Sequence, residues 1–401
     1  MPDSTPKSRL DLEDLAMHEG ATVLLRRVLS QLAAGEWCEV CGDSPDFASQ
    51  LAAWSRKEGL RCESTQGVSG TFRIESAGPA PAIHTSRANV SETAALNWGL
   101  APRGARIEKG GPDFGFTLRQ KRDVWARELS TIYSQAAANQ WSAARDIPWS
   151  ELPKLSPELE SAIGQIMTFL TENEFAALYV PARFIPRIHP HYREVVEVLA
   201  MQIVDEARHA EAFTLRAQAG AEAGAEADGA GLGTTAVSGQ LSLKTLLEEP
   251  DFTTATFLLS VMGEGTFLTL LKFLGEHAPD PVTAVLARLA HRDEARHVAF
   301  GTEHMRYVFE REPEKRLSMA AAVERRSQML ASISGLSPYV HDALVIFAGG
   351  GTSVSQIRTG SRHVAELQRE MDRTRRERLQ SLQFDAAIAT AMSAYHTKNF
   401  M

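Results

Sequence analysis

The five residues Asp-Glu-Ala-Arg-His occur twice in this chain, at 205–209 and at 293–297, and this repeat constrains the fold more than any other feature. In each copy the Glu and the His are three residues apart, so on an α-helix both side chains project from one face about one turn apart. Side chains placed in this way can bind the same metal ion. The repeat therefore predicts two helices that each contribute a Glu and a His to a common site.

Four long segments have the apolar period of an α-helix. They run from Pro157 to Phe184, from His191 to Ala217, from Asp251 to His277 and from Pro281 to Phe309. The second and fourth carry the repeat, while the first and third each place one glutamate, Glu174 or Glu264, on an apolar stripe. A carboxylate among apolar side chains costs free energy unless a partner compensates its charge. We therefore expect a four-helix bundle with both glutamates in its core.

The predicted metal ligands, which are also the predicted catalytic residues, are Glu174, Glu206, His209, Glu264, Glu294 and His297. One Glu from each of two helices and a Glu-x-x-His from each of the other two is the ligand set of bundles that hold two metal ions. Four carboxylates balance two divalent cations, and the oxygen-rich set favours iron or manganese. Glu172, about 200° around the helix from Glu174, is the alternative ligand.

Each copy of the repeat also contains an Asp and an Arg. Asp205 and Asp293 directly precede the predicted ligands, and we expect each to accept the other imidazole N–H of a ligand histidine across the bundle. We expect Arg208 and Arg296 to pair with these acids or with the entering carboxylates, and the alternative is that both lie on the bundle surface. Glu174 and Glu206 are 32 residues apart and Glu264 and Glu294 are 30 apart, which predicts two helix hairpins related by a pseudo-two-fold axis.

Residues 1–78 alternate between strand and helix patterns, which predicts a small α/β domain of order β-α-β-α-β-β. This domain resembles the TusA/SirA family of sulfur carriers in the runs Leu10–Leu12, Ala33–Glu36 and Asp43–Pro45, in Ala53-Trp54 and in Gly59. That family carries a persulfide on a Cys-Pro-x-Pro cysteine before its first helix, where this chain has Met17–Gly20. We therefore expect a docking or structural domain that carries no sulfur.

The remaining chain divides into a linker at 79–117 and a helical domain at 118–401, in which helical patterns continue beyond the four-helix bundle to the C-terminus. A Gly/Ala/Glu-rich stretch from Ala219 to Gly239 predicts a flexible crossover between the two hairpins. The charged run from Glu370 to Arg378 predicts a solvated helix face.

Composition excludes several classes of partner. A net charge of -8 gives no bulk attraction for nucleic acid or acidic lipid. The sequence has no uninterrupted apolar run of membrane-spanning length and no apolar signal core near its start, so we expect a cytoplasmic protein. Cys38, Cys41 and Cys62 are too few for a disulfide framework. On the predicted strand, Cys38 and Cys41 face opposite sides, so we expect ordinary buried cysteines rather than a redox or zinc pair.

The helical domain resembles the ferritin-like di-iron carboxylate superfamily, and in particular its oxygen-activating branch. The resemblance lies in Gly263–Phe267, in the second copy of the repeat, and in Gln140-Trp141 followed by Asp146–Ser150. It implies an Fe/Fe or Mn/Fe centre that uses dioxygen to hydroxylate or N-oxygenate a small or carrier-bound organic substrate. The sequence contains no flavin or nicotinamide fingerprint, so we expect electrons from an external reductase or ferredoxin, and a homodimer is compatible with the resemblance.

Two positions depart from relatives within that branch. Multicomponent monooxygenases have a Thr where this chain has Leu268, and the nearest hydroxyls belong to Thr266 and Thr269. Aminobenzoate-type N-oxygenases have a third histidine four residues before the last Glu, whereas this chain has His291 three residues before Glu294. His291 is therefore a further ligand, an outer partner of a ligand or a half-exposed residue. Tyr179, about one turn beyond Glu174, is expected to be a core tyrosine, and a radical-forming role is the alternative. The alternatives to an oxygen-activating enzyme are a ferritin-like iron-binding or peroxide-detoxifying protein and a docking protein of a sulfur-transfer system.

Overall fold

The computed structural model describes residues 5–65, 67–78, 83–84, 90–108, 110–222, 231–331 and 336–396. The chain folds into two compact units. The first consists of Met1–Asn89 and Asn97–Asp113, and the second of Val90–Leu96 and Phe114–Met401. The division of the chain at 78 and 117 stays a prediction.

The first unit is a small α/β fold with the predicted order of elements. These are β1 (Ser8–Asp11), α1 (Ala21–Leu29), β2 (Trp37–Cys41), α2 (Phe47–Lys57), β3 (Cys62–Ser64) and β4 (Thr71–Glu75). The sheet order is β1-β2-β4-β3, with β1 parallel to β2 and the other pairs antiparallel. Cys38 is buried and Cys41 is partly exposed, because alternate residues of β2 face opposite sides of the sheet. Two short strands, β5 (Ile83–His84) and β6 (Arg106–Ile107), form a separate antiparallel pair.

The second unit is built from helices. They are α3 (Lys121–Val124), α4 (Leu129–Ala138), α5 (Pro157–Ala182), α6 (Arg193–Glu222), α7 (Val237–Leu247), α8 (Phe252–Thr256), a π-helix (Phe257–Glu264), α9 (Gly265–His277), α10 (Pro281–Arg311), α11 (Lys315–Met329), α12 (Pro338–Gly349), α13 (Val354–Ser381) and α14 (Ala386–Tyr395). The predicted fold, mainly helical with a small α/β region, is confirmed.

Two hairpins form the four-helix bundle, as predicted. The first hairpin pairs α5 with α6, and the second pairs the π-helix and α9 with α10. Both α5 and α10 begin at a polar cap followed by proline: the Ser156 side chain accepts from the Leu159 N–H, and that of Asp280 accepts from the Thr283 N–H. These caps fix where each helix starts and therefore which residues face the core.

The third predicted helix differs from a regular α-helix. It runs without a break through α8, the π-helix and α9, and every residue of the π-helix is buried. The stretch Phe252–His277 is, within the described residues, the one helix long and apolar enough to cross a membrane, and 89% of its most apolar window is buried inside the fold. Such burial is that of a core helix in a bundle.

The C-terminal helices cover this bundle. Helix α12 packs on α5 and α13, while α13 packs on α9 and α14. The prediction of a solvated face at Glu370–Arg378 is wrong in part, because Met371 and Arg375 are buried against neighbouring helices whereas Arg373 is exposed. The predicted crossover loop is also shorter than expected, since α6 continues to Glu222 and α7 begins at Val237. Residues 223–230 of that loop lie outside the described residues.

Candidate metal centre

The structure brings all six predicted ligands together in the middle of the bundle. Glu174 comes from α5, Glu206 and His209 from α6, Glu264 from the end of the π-helix, and Glu294 and His297 from α10. None of the six is more than 4% exposed. They approach from four helical segments because each lies on the buried stripe of its own helix.

The six side chains form two overlapping groups. Glu174, Glu206, His209 and Glu294 make the first, and Glu206, Glu264, Glu294 and His297 the second. Within each group the donor atoms lie within 4.8 Å of one another. We name the first group position 1 and the second position 2. Glu206 and Glu294 belong to both groups and would contribute to both positions, while each position has its own histidine and its own glutamate.

Both histidines turn Nδ1 toward the carboxylates. His209 Nδ1 lies 3.5 Å from a Glu174 oxygen and 3.4 Å from oxygens of Glu206 and Glu294. His297 Nδ1 lies 3.1 Å from Glu206 Oε1 and 3.3 Å from Glu294 Oε2. The Nδ1 atoms are therefore the ones available to ions at the two positions.

The Nε2 atoms face two aspartates from the opposite hairpin. His209 Nε2 lies 3.3 Å from Asp293 Oδ2, and His297 Nε2 lies 3.3 Å from Asp205 Oδ2. The predicted contact of each Asp with a histidine across the bundle is present. An Nε2–H donated to a carboxylate leaves the Nδ1 lone pair free for a metal ion.

The two arginines of the repeat complete a buried ring with these aspartates. Arg208 donates to Asp205 and, at 2.9 Å, to Asp293 Oδ2. Arg296 donates to Asp293 Oδ1 at 2.7 Å and to Asp205 Oδ2 at 3.1 Å. Each guanidinium therefore binds both acids, and the expectation that the arginines pair with them is confirmed. The four charges of the ring cancel in pairs.

The segment between α4 and α5 supplies two further contacts to this ring. Trp141 Nε1 donates to Asp293 Oδ2 at 2.6 Å, and its ring stacks on His209 with centroids 6.2 Å apart. Gln140 Nε2 donates to Asp205 Oδ1 at 3.1 Å. The sequence resemblance marked these two residues without giving them a role, because they lie outside the periodic helices.

Gln202 contacts two of the predicted ligands, and the sequence did not predict this. Its Nε2 donates to Glu264 Oε1 at 2.7 Å and lies 3.4 Å from Glu206 Oε1. Gln202 is 2% exposed and lies one turn before Glu206 on α6. A polar residue four positions before a predicted ligand, on the same buried face, was the signal that could have identified it.

Several buried polar atoms at the centre fit metal ions. Among the described residues, Glu174 Oε1, Glu206 Oε2, Glu264 Oε2 and His209 Nδ1 have no hydrogen-bond partner. Buried polar atoms without partners are rare in proteins and call for an ion or a water. Because the aspartates and arginines cancel, the four glutamates leave a negative charge that two divalent cations would balance.

The pKa values show the same excess of negative charge. Burial and the neighbouring Glu206 charge raise the pKa of Glu174, and burial and the Glu294 charge raise that of Glu264, both well above the ordinary value. Burial alone would lower the pKa of His209, but Asp293 and the surrounding glutamates raise it well above the ordinary value. Protons at the carboxylates and imidazoles thus take the place that metal ions would fill, and metal binding would release them.

The remaining candidates lie away from the centre or at its edge. Glu172 is half-buried and accepts from Gln240 Nε2 at 2.8 Å, so Glu174 is the glutamate that faces the site. The expectation of a core tyrosine is wrong, since Tyr179 is 57% exposed. His291 is half-buried and is not part of either group of donor atoms. The Thr266 hydroxyl donates to the Met262 carbonyl.

A narrow crevice lined by residues of α4, α6 and α10 lies beside His297 of position 2. Ile132, Tyr133 and Ala136 of α4 form one wall, and Val198, Met201 and Gln202 of α6 form the other. Asp205, Arg296 and His297 lie at its inner end. The crevice admits molecules of about the size of water, and its walls are mostly apolar.

Solved structures with a similar helical arrangement include R2-like ligand-binding oxidases. A variant with an aerobically reconstituted Fe/Fe cofactor is 16% identical, with a TM-score of 0.46, over 65% of this chain and 95% of that chain. A second variant with an anaerobically reconstituted Mn/Fe cofactor is 17% identical, with a TM-score of 0.41, over 66% and 93%. The oxidase from Sulfolobus acidocaldarius is 18% identical, with a TM-score of 0.40, over 61% and 90%. No protein-family model and no curated protein sequence matches the chain.

Proposed function

We propose that this protein is an oxidoreductase that uses two metal ions and dioxygen to oxidise a small or carrier-bound organic substrate. The observation that carries the proposal is the pair of overlapping donor groups, in which Glu206 and Glu294 belong to both positions. Four carboxylates with two imidazoles suit iron, as Fe/Fe or Mn/Fe, because oxygen-rich sites favour these metals over zinc or copper. When bound, two such ions supply the electrons and the open coordination positions that dioxygen reduction requires.

The residues around the centre would keep each histidine in one tautomer. Asp205 holds the Nε2–H of His297 and Asp293 holds that of His209, so both Nδ1 lone pairs stay directed at the carboxylates. The arginine contacts keep both aspartates ionised and fixed in place, and hydrogen bonds from His209 and Trp141 help to hold the pKa of Asp293 below its ordinary range against the effect of burial. This support orients the imidazoles before any ion binds.

The bundle would also exclude bulk water from the reaction. Trp141 covers His209 on one side, and the π-helix buries Glu264 on the other. The crevice at position 2 has room for a molecule of about the size of water. The electrons for each turnover would come from an external reductase or ferredoxin.

Iron loading tests this proposal against iron storage. The purified full-length protein is loaded with ferrous ion under argon, freed of excess iron and exposed to oxygen, while bound iron and visible absorption are followed. We expect about two irons per chain and a transient absorption band. Uptake of dozens of irons would favour the ferritin-like alternative, and binding of no iron would refute the proposal.

We also propose that the first unit contains a TusA-like domain that does not transfer sulfur and that has a docking or structural role. Its order of strands and helices supports the likeness. The segment before α1 contains Met17, which is buried, and no cysteine, while Cys38, Cys41 and Cys62 lie on strands. A persulfide assay with a cysteine desulfurase as donor should leave the protein unlabelled, and stable labelling would contradict the proposal.

A further inference from the structure

The helix that carries Glu264 is widened in the two turns before this residue. At its end the Gly265 N–H donates to the Ser260 carbonyl, five residues back rather than four. A π-turn contains one residue more than an α-turn, so it shifts the direction of the following side chains by about 100° relative to an uninterrupted α-helix. The direction of Glu264 therefore depends on whether the π-turn is maintained.

Side chains bind the backbone carbonyls around this turn. Arg378 of α13 donates from Nη1 to the Val261 carbonyl at 3.1 Å and from Nη2 to the Gly265 carbonyl. The Thr266 hydroxyl donates to the Met262 carbonyl at 2.7 Å. A single guanidinium thus binds carbonyls on both sides of Glu264. In an uninterrupted α-helix these carbonyls would have different hydrogen-bond partners.

The residues facing the turn are small enough to admit these contacts. A Cβ on Gly265 would lie 2.4 Å from Arg378 Cζ, so only glycine lets the guanidinium lie against the backbone there. On the α10 side, a Cβ on Gly301 would lie 2.5 Å from Ser260 Cβ. Helices α10 and α13 therefore both approach the widened turn closely, and α13 does so through Arg378.

Arg378 differs from the exposed arginines of α13 in what it binds, as does Arg375, which donates to the Thr266 hydroxyl and to the Ser393 carbonyl. Arg373 pairs with Glu370 and Glu377 on the exposed face, and Arg376 pairs with Asp372. Among the described residues, Arg378 forms no ion pair within 4.0 Å and directs its donors to backbone carbonyls instead. Its charge is therefore used on the turn that precedes Glu264.

We propose that Arg378 is a positioning residue that maintains the π-turn and thereby keeps Glu264 directed into position 2. The expected change in metal binding rests on the proposed two-metal function. The expected change in the π-turn does not require a metal ion. Loss of the guanidinium would let the segment return to an α-helical arrangement and would turn the Glu264 carboxylate away from position 2.

Amide hydrogen exchange in the metal-free protein tests the effect on the turn. In Arg378→Ala we expect faster exchange across 257–266 and unchanged exchange in α5 and α6. Arg378→Lys should restore part of the protection, because an ammonium group can reach one carbonyl. The control is Arg373→Ala on the exposed face of the same helix. Unchanged exchange in Arg378→Ala would overturn the inference whether or not the protein binds metal.

Titration with Co²⁺, whose visible spectrum reports its ligand geometry, tests the consequence. We expect wild type and Arg373→Ala to bind two ions, and Arg378→Ala to bind one as before and the other about 10- to 100-fold more weakly with an altered spectrum. Equal weakening of both ions would contradict a role in positioning Glu264. Failure of the wild type to bind a pair of ions would refute the proposed function instead.

Discussion

The two hairpins carry the same five-residue repeat, yet they surround the two metal positions differently. In the first hairpin Glu174 lies on a regular α-helix, and its Oε1 has no hydrogen-bond partner among the described residues. In the second, Glu264 ends a π-helix and its Oε1 accepts from Gln202. Each of these glutamates has one oxygen without a partner, but the other oxygen of Glu264 accepts from an amide, whereas that of Glu174 lies 3.5 Å from His209 Nδ1.

The partners behind the histidines differ as well. Asp293, behind His209, accepts from an indole N–H, and Asp205, behind His297, accepts from the amide of Gln140. Identical motifs therefore provide the same ligand atoms, while the neighbouring elements donate different hydrogen bonds to the acids behind them. We expect the two ions to bind in two distinguishable steps, and each prediction below tests this asymmetry.

Each position has one glutamate that the other position lacks. Removing this glutamate is expected to have the largest effect on metal binding. Glu264→Ala should empty position 2 and Glu174→Ala should empty position 1, each leaving about one ion per chain and the helical content intact. Metal analysis and circular dichroism measure both. Glu172→Ala, two residues from Glu174 and bonded to Gln240, is the control and should retain two ions. Retention of both ions in Glu264→Ala would show that the ligand assignment is wrong.

The next effect is expected from the aspartates behind the histidines. Asp293→Asn should weaken binding at position 1, and Asp205→Asn at position 2, by about 10- to 100-fold, because an amide no longer fixes the imidazole tautomer. Anomalous diffraction at partial metal loading distinguishes the two positions. Asp342→Asn on the surface should change neither. A larger loss at position 2 than at position 1 in Asp293→Asn would contradict the crossed pairing.

A difference in the pH dependence of stability is expected at the residue seven positions after each ligand histidine. This residue is Arg216 in the first hairpin and His304 in the second. Arg216 of the first hairpin is buried against Asp280, whereas burial lowers the pKa of His304 to about 4 despite the nearby Trp125 carbonyl. Between pH 6.5 and 4 the unfolded chain therefore binds a proton at this histidine that the folded chain does not, so stability falls as pH falls. At pH 5 this loss is about 2 kcal/mol.

Urea unfolding at pH 7 and pH 5 measures that loss. His304→Gln keeps a donor for the Trp125 carbonyl and an acceptor for the Thr253 hydroxyl but does not titrate. We expect the variant to lose about 2 kcal/mol less than wild type over this interval. The same pH dependence in both proteins would contradict a neutral, buried His304.

The smallest effect is expected from Gln202→Leu. Loss of one amide-to-carboxylate hydrogen bond should weaken binding at position 2 by about two- to tenfold and leave position 1 unchanged. Gln240→Leu removes a similar bond, to Glu172, away from the centre and is the matched control. Equal weakening at both positions would show that Gln202 does not distinguish them.

The helical period was sufficient to place the six donor residues, because Glu-x-x-His and a lone Glu on an apolar stripe both follow from the geometry of a regular helix. The prediction that Tyr179 lies in the core was wrong. Tyr179 is five residues from Glu174 and therefore about 140° around the helix, where it faces solvent. It also treated the third helix as regular, although Phe257–Glu264 is a π-helix. A π-turn has no apolar period of its own over so short a stretch.

The roles of residues outside the four bundle helices were beyond the sequence. Trp141 lies in the segment between α4 and α5, and Arg378 lies within a charged run whose composition is that of a surface helix. Each acts on the centre only because tertiary packing brings its element against the bundle. Composition and local pattern describe a residue's own helix, and they contain no information on which face a neighbouring element covers.

X-ray diffraction from crystals of the iron-loaded protein, recorded across the iron absorption edge, tests the two-ion centre most directly. We predict two anomalous peaks about 3.5–4 Å apart, one beside Glu174 and His209 and the other beside Glu264 and His297, with Glu206 and Glu294 between them. A single peak, or peaks outside this cluster, would contradict the account.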